Sequence, residues 1–176
     1  NMSKYSEEFK GKKMTKNTRY LLNYRTKDYS LEGEEGILEY MLDKIPESDR
    51  NNFIVEFGAY DGITFSNSLY FIQNFYFEAV EIEADDGRFK QLEINMKPYN
   101  VECIKSFITR DGETTLDKIL NNSNKEVPRN FDVLVVDVDN NDYHLWKTVQ
   151  EYRPKIVMIE VNNTVLPTTD KIAEYD

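Results

Sequence analysis

The sequence predicts an α/β fold in which a mainly parallel sheet lies between two layers of helices. Five short runs rich in Val, Ile and Phe alternate with amphipathic helical patterns. Strict alternation of this kind places parallel strands in one sheet with helices on both faces. The run 133–136 is continuously apolar, which is typical of a central strand buried on both sides. A length of 176 residues also fits a single domain, which we place at 29–176.

The predicted elements follow from local patterns. A helix over 37–45 ends before Pro46, because its apolar residues recur on one helical face. Two side chains are assigned to the core: Trp146 on the last helix and Cys103 in the third strand. The strands are expected at 53–57, 79–82, 101–104, 131–136 and 155–159, and the helices between them at 66–75, 86–96, 115–120 and 142–152.

Composition and charge exclude several classes of protein. The formal net charge is −10, yet residues 1–28 carry eight Lys/Arg against three Asp/Glu and are predicted to be a basic, poorly ordered arm. The acidic remainder argues against a nucleic-acid binder, which needs a clustered positive face. One Cys and one His exclude an internal disulfide and a Cys/His zinc cluster. We find neither a long apolar run nor a secretory signal, which predicts no membrane span and a cytoplasmic location, or the host-cell cytoplasm for a viral protein.

The first strand ends in a turn that contains glycines, at the edge where parallel sheets bind ligands. The dinucleotide pattern G-x-G-x-x-G fails here, because Tyr60 and Ile63 occupy its second and third glycine positions. The acidic-x-G-x-G-x-G turn of S-adenosylmethionine (SAM) enzymes fits better. In that pattern Glu56, Gly58 and Gly62 are in place, and Tyr60 replaces the middle glycine.

The second strand ends in acidic residues. In doubly wound folds an acidic side chain about 20 residues past the glycine turn accepts hydrogen bonds from ribose hydroxyls. Glu83 lies 21 residues after Gly62 and fits that role. Strand alternation puts Glu81 on the same face, and we expect Glu81 to be a residue of the rim.

The fourth and fifth strands both end in oxygen-bearing side chains. Asp137 and Asp139 follow the fourth strand, and Glu160 and Asn162 follow the fifth. Divalent cations such as Mg²⁺ prefer these hard ligands, so the four residues are candidate metal ligands.

Two residues further along have both structural and catalytic interpretations. Asp142 is expected to cap the helix that follows the fourth strand. His144 would titrate near neutrality and could act as a general base, or it could help to cap or pack that helix.

In combination and order these motifs resemble the FkbM-type SAM-dependent methyltransferases. The resemblance runs from Tyr29 to Pro167, nearly four fifths of the chain. It rests on YS (29–30) with GEEGI (33–37), VEFGAYDG (55–62), EAD (83–85) with RF (88–89), DVD (137–139) with NDYHLWK (141–147), and PKIV (154–157) with IE (159–160).

The resemblance implies a SAM cofactor and a small-molecule or glycan hydroxyl as the acceptor, because known members methylate hydroxyl oxygens of sugars, glycolipids and polyketides. The turn 56–62 would hold the methionine part of SAM, and Glu83 its ribose. Asp137, Asp139 and His144 would face the methyl group and the acceptor as catalytic residues. The implied cofactor-binding residues are Glu56, Gly58, Tyr60, Asp61, Gly62, Ser66, Glu83, Ala84, Ser106, Phe107 and Asp137.

The implied fold is a three-layer Rossmann-like class I methyltransferase sandwich, with three departures from the family pattern. Leu31 stands where the family usually has Gln, and Asn140 where it has Gly. The chain also stops at Asp176, before the strand pair that closes the family's sheet, which leaves three alternatives: a minimal fold, a truncated chain, or a sheet completed by another chain. An uncovered sheet edge would favour homo-oligomers. These departures leave a second hypothesis, a catalytically silent SAM-binding or interaction module. A nicotinamide-dependent oxidoreductase is the third, which Tyr60 and Ile63 disfavour.

Overall fold

A five-stranded, wholly parallel sheet organises the chain in the computed structural model, which describes residues 21–138, 141–161 and 174–175. The strand order is β3-β2-β1-β4-β5. The direction of winding therefore reverses between β1 and β4. The strands are β1 (Phe53–Phe57), β2 (Glu78–Glu83), β3 (Val101–Lys105), β4 (Val133–Val136) and β5 (Ile156–Ile159).

Five α-helices are described and cover both faces of the sheet. They are α1 (Glu34–Leu42), α2 (Leu69–Phe75), α3 (Asp86–Met96), α4 (Leu116–Asn121) and α5 (Asp142–Trp146). Short 3₁₀ turns occupy Leu22–Tyr24, Glu47–Asp49 and Gly112–Thr114. No helix in the described ranges has the length and apolarity needed to cross a membrane.

The alternation of side chains along β1 divides the core into two halves. Val55 and Phe57 point to one face, where they pack with apolar residues of α4 and α5. Ile54 points to the other face and packs with apolar residues of α1 and α2. Because both faces are covered, β1 and β4 are buried along their whole length, as the apolar run 133–136 predicts.

The α/β class is as predicted, and the strands lie within two residues of their predicted bounds. The helices predicted at 37–45 and 66–75 are observed at Glu34–Leu42 and Leu69–Phe75, and the last helix is shorter than predicted. The helix expected at 142–152 ends at Trp146. The chain turns there because the buried carboxylate of Asp117 accepts the backbone N–H groups of Gln150 and Glu151, at 2.8 and 3.1 Å.

Three side-chain predictions are wrong or only partly met. Trp146 is 41% exposed and lies outside the apolar core, to which α5 contributes Leu145. Asp142 is the first helical residue rather than the cap, and its carboxylate accepts the Val138 N–H at 2.9 Å. Cys103 is half-buried, because β3 lies at an edge of the sheet.

One buried carboxylate ties together the starts of three neighbouring strands. Asp132, fully buried just before β4, accepts the backbone N–H groups of Asn51 and Asn52 at 3.1 and 2.8 Å, where the chain enters β1. Lys155, just before β5, places its Nζ 2.5 Å from Asp132 Oδ1. This cluster fixes the ends of the strands that lie opposite the ligand edge.

We expect the substitution Asp132→Ala to destabilise the fold by about 3 to 5 kcal/mol, because it leaves Lys155 and two backbone donors without their buried acceptor. Asp49→Ala, at an exposed site nearby, should change the unfolding free energy by less than about 0.5 kcal/mol. Urea unfolding of both variants measures the difference. Equal effects would contradict the role of the buried cluster.

Candidate functional site

A cleft of about 380 Å³ opens at the carboxyl ends of the strands, where the direction of winding reverses. This volume lies in the range of small-molecule sites. The structure brings nine of the eleven predicted cofactor-binding residues to its lining: Glu56, Gly58, Tyr60, Ser66, Glu83, Ala84, Ser106, Phe107 and Asp137.

The turn after β1 forms one wall of the cleft. Gly58 has φ +82°, and a Cβ atom there would collide with the backbone carbonyl oxygen of Asp137. Tyr60 replaces the middle glycine of the sequence pattern, yet it keeps a left-handed backbone at φ 55°. Left-handed backbone is uncommon for residues other than glycine, so the turn preserves the glycine conformation at a cost in strain.

Glu83 connects the turn after β1 to the loop after β2. Its carboxylate accepts the Tyr60 N–H at 2.9 Å and the N–H groups of Ala84 and Asp85 at 2.9 and 2.8 Å. The guanidinium of Arg88 lies 4.3 Å from the centre of the Tyr60 ring and holds that ring against the wall.

The floor of the cleft contains a buried carboxyl group. Glu56 is 2% exposed and accepts the backbone N–H and the side-chain amide of Asn67, at 3.2 and 3.4 Å. Burial raises the pKa of Glu56, and the charge of Asp137 acts in the same direction. Hydrogen bonds from Ser68 and Asn67 oppose that rise.

Glu81 lies beneath the floor, next to Glu56 in the sheet register. The prediction that it sits at the rim is wrong, because Glu81 is fully buried against the turn at Gly62. Burial and the charge of Glu56 raise the pKa of Glu81 well above its ordinary value. Ser68 Oγ contacts Glu81 Oε1 at 2.8 Å, and Glu81 Oε2 has no partner among the described residues.

Two of the predicted cofactor-binding residues lie behind the wall rather than in the lining. Asp61 accepts the N–H groups of Ile63 and Thr64, at 2.9 and 2.7 Å, and so shapes the turn. Gly62 has φ +75° and packs against the side chains of Leu92 and Met96.

The predicted catalytic and metal-binding residues are divided. Asp137 lines the cleft. His144 is half-buried outside the lining, with its ring centre 5.8 Å from that of Tyr175. Glu160 is exposed beyond β5. Asp139 and Asn162 lie outside the described residues, as does Asn140.

No group of three acidic, His or Cys side chains in the described part of the chain could hold a metal ion. Two of the four candidate ligands are not in that part. A magnesium site therefore stays a prediction.

The sequence left several lining residues unassigned. Arg88 and Asn141 belong to the motifs that carry the family resemblance, and these motifs could have identified them as lining residues. Phe65 also lines the cleft and is 58% exposed. Its backbone is left-handed at φ 59°, a conformation that its residue type does not indicate.

These features define a doubly wound α/β protein with a cleft at its topological switch point. Neither a protein-family model nor a curated protein matches the chain. Solved structures match it at low identity.

The chain is similar to a putative O-methyltransferase from Klebsiella pneumoniae, with 15% identity, a TM-score of 0.47, and 85% of this chain and 66% of that one covered. It is similar to the N-terminal domain of EvdMO1 in the presence of SAH and D-fucose, with 13% identity, a TM-score of 0.41, and 78% and 61% covered. For the citrinin polyketide synthase CMeT domain the identity is 16%, the TM-score 0.40, and 58% and 25% are covered. The chain thus spans between a quarter and about two thirds of the length of these three chains. The fold assignment is based on the strand order and register of the sheet.

Replacing Gly58 tests the close approach of β1 and β4. We expect Gly58→Ala to displace the turn, because its new Cβ would collide with a backbone oxygen. Gly112→Ala is the matched control: φ is also positive at +84°, and no atom lies within 4 Å of a Cβ there. The control should cost about 1 to 2 kcal/mol of unfolding free energy and Gly58→Ala clearly more. Equal losses in urea unfolding would contradict the proposed contact.

The buried position of Glu81 predicts a pH dependence of stability. The folded state binds the Glu81 proton more tightly than the unfolded chain, because its pKa is raised. Its contribution to stability is therefore complete below the ordinary pKa and is lost as the pH rises through the raised value. Glu81→Gln cannot ionise, so we expect it to lose less stability than the wild type between about pH 5 and about pH 8.

Thermal unfolding across that pH series measures the effect. Glu78→Gln, an exposed site at the start of the same strand, should keep the wild-type pH dependence. Parallel curves for Glu81→Gln and the wild type would show that Glu81 does not hold the proton.

Proposed function

We propose that this chain is a SAM-dependent methyltransferase of the FkbM type that methylates a hydroxyl group of a carbohydrate or glycoconjugate. One observation carries the proposal. Nine of the eleven residues expected to bind the cofactor, from four separate segments of the chain, line one cleft at the switch point of the sheet. A structural turn after β1 alone would not require the loops after β2, β3 and β4 to contribute expected residues to the same cleft.

The residues of the cleft fit SAM chemically. Glu56, Glu83 and Asp137 give it an acidic lining, which suits a cofactor that carries an ammonium and a sulfonium group. Phe107 is 66% exposed in the lining after β3 and offers a ring on which a planar base can stack. When bound, SAM supplies a methyl group activated by its positive sulfur.

The carboxylate of Glu83 can accept one further hydrogen bond, as binding of a ribose hydroxyl requires. Three backbone N–H groups use three of the roughly four acceptor positions of its carboxylate, which leaves one for a ribose hydroxyl. The same hydrogen bonds fix the carboxylate before any ligand arrives. Glu83 is therefore held in place to bind rather than free to reorient.

The acceptor hydroxyl must lose its proton during transfer. We assign the proton acceptor to Asp139 or His144. The role of the protein at this step is to hold the hydroxyl in line and to receive its proton.

Calorimetric titration of S-adenosylhomocysteine (SAH), SAM and, in parallel, NAD into the purified chain tests the function. We expect SAM and SAH to bind with micromolar affinity and NAD not to bind. An acceptor screen that begins with sugars should then detect transfer. Binding without transfer would support the silent-module hypothesis, and no binding of SAM or SAH by folded protein would overturn the proposal.

Substitution of Phe107 tests whether the base of the cofactor binds on its exposed ring. We expect Phe107→Ala to weaken SAH binding about tenfold to a hundredfold, because stacking of a base on an aromatic ring contributes about 1 to 3 kcal/mol. Ile94→Ala, which removes a similarly exposed apolar side chain from α3 outside the cleft, should leave the affinity unchanged. Equal affinities of the two variants, measured by the same titration, would contradict this placement.

Asp139 tests the division between binding and catalysis. We expect Asp139→Ala to abolish methyl transfer while SAH affinity stays within a few-fold of the wild type, because the residue is assigned to the acceptor side. Transfer assays and calorimetry on one preparation separate the two effects. Loss of both together would reject the assignment.

A further inference from the structure

A chain of four side-chain oxygens links the floor of the cleft to the interior. Glu81 Oε1 lies 2.8 Å from Ser68 Oγ, which lies 3.1 Å from Ser66 Oγ. Ser66 Oγ lies 3.4 Å from Glu56 Oε2, the longest of the three contacts. All four residues are buried, and Glu56 and Ser66 line the cleft while Glu81 lies beneath it.

The geometry disfavours two charges on this pair of carboxyl groups. Glu56 and Glu81 are neighbours in the sheet register, and both are buried. Ser66 Oγ accepts the backbone N–H groups of Ser68 and Leu69, at 3.3 and 3.1 Å, which fills its two acceptor positions. Ionisation of two adjacent buried carboxyl groups is costly, and one proton on the pair removes that cost.

Hydrogen-bond partners assign that proton to Glu81. The ionised form of Glu56 is stabilised by two N–H groups of Asn67. Glu81 has no N–H donor among the described residues, and its Oε2 is unpartnered. The proton therefore resides on Glu81, beside the ionised Glu56.

The groups around the pair favour a single negative charge. Cys103 is next to Glu81 in the sheet register and stays neutral, because burial raises the pKa of its thiol to about 12. The other titratable or charged groups near the pair are Asp137 beyond β4, Glu83 at the end of β2, Asp61 in the turn, and Arg88 and Glu93 on α3. Most of these groups are acidic, so a second negative charge is unfavourable until a cation arrives.

We propose that Glu81 is a positioning residue that holds a proton beneath Glu56 and releases it when a ligand's ammonium group binds at Glu56. This inference rests on the proposed function and names the part of the ligand that the floor recognises. A bound cation favours the ionised pair, so the Glu81 carboxyl gives its proton to solvent. Below the titration of the free pair, ligand affinity rises with pH, because ionisation then becomes less costly.

Calorimetry of SAH binding in two buffers with different ionisation enthalpies counts the released protons. We expect the wild type to release protons on binding at pH values below the titration of the free pair, where affinity should rise by up to tenfold per pH unit. Methylthioadenosine, which keeps the nucleoside thioether and lacks the ammonium group, should release none. Glu81→Gln, which has the shape of the protonated acid, should bind SAH without proton release and with a flatter pH profile.

Glu78→Gln is the matched control on the same strand and should release as many protons as the wild type. If Glu81 had a purely structural role, Glu81→Gln would change stability and leave the proton count unchanged. Equal proton release from Glu81→Gln and the wild type, or SAH binding with no release by the wild type, would overturn the inference alone. Failure of SAH to bind to folded wild type would instead overturn the proposed function, and the inference with it.

Discussion

The site depends on the close approach of the β1 turn to the end of β4. Asp137 donates its N–H to Phe57 at 3.2 Å, and Gly58 lies so near the Asp137 carbonyl that a side chain would not fit. The parallel register continues this contact into the sheet, where Phe57 pairs with Val136. As a result Glu56 and Asp137, 81 positions apart in the sequence, share one cleft and one electrostatic environment.

That proximity concentrates negative charge where water is scarce. Glu56 and Glu81 are paired in register on adjacent strands, so their side chains point to the same face and cannot separate without breaking the sheet. Burial of two like charges is unfavourable, and one proton held on the pair reduces this cost. An acidic site of this kind is complementary to a cation.

The sequence was sufficient for those features that depend on local pattern. The strands appear at the expected places along the chain because alternation and apolar runs report burial directly. Glu83 was singled out because its spacing from the glycine turn reflects the length of one βα unit. Asp142 and Trp146 were misassigned for other reasons. The Trp146 error assumed a helix over 142–152, whereas the helix ends at Trp146 and Asp117 binds the chain at Gln150 and Glu151. The Asp142 error concerns the exact first residue of the helix, which a sequence pattern fixes only to within a residue or two.

Glu81 shows a deeper limit of prediction from sequence. A glutamate near the end of a strand is usually solvated, and its residue type gives no sign that the turn at Gly62 and the serines before α2 will cover it. The strained backbones of Tyr60 and Phe65 belong to the same turn. Buried like charges and left-handed aromatic residues both oppose folding. Glu56, Tyr60 and Phe65 lie in one segment of ten residues, 56–65, and Glu81 packs beneath it, while Asn52 and Tyr76 have left-handed backbones outside the cleft. Features that oppose folding are expected at functional sites, where ligand binding constrains the structure. Their concentration in this turn therefore supports the cleft as the functional site, independently of the sequence motifs.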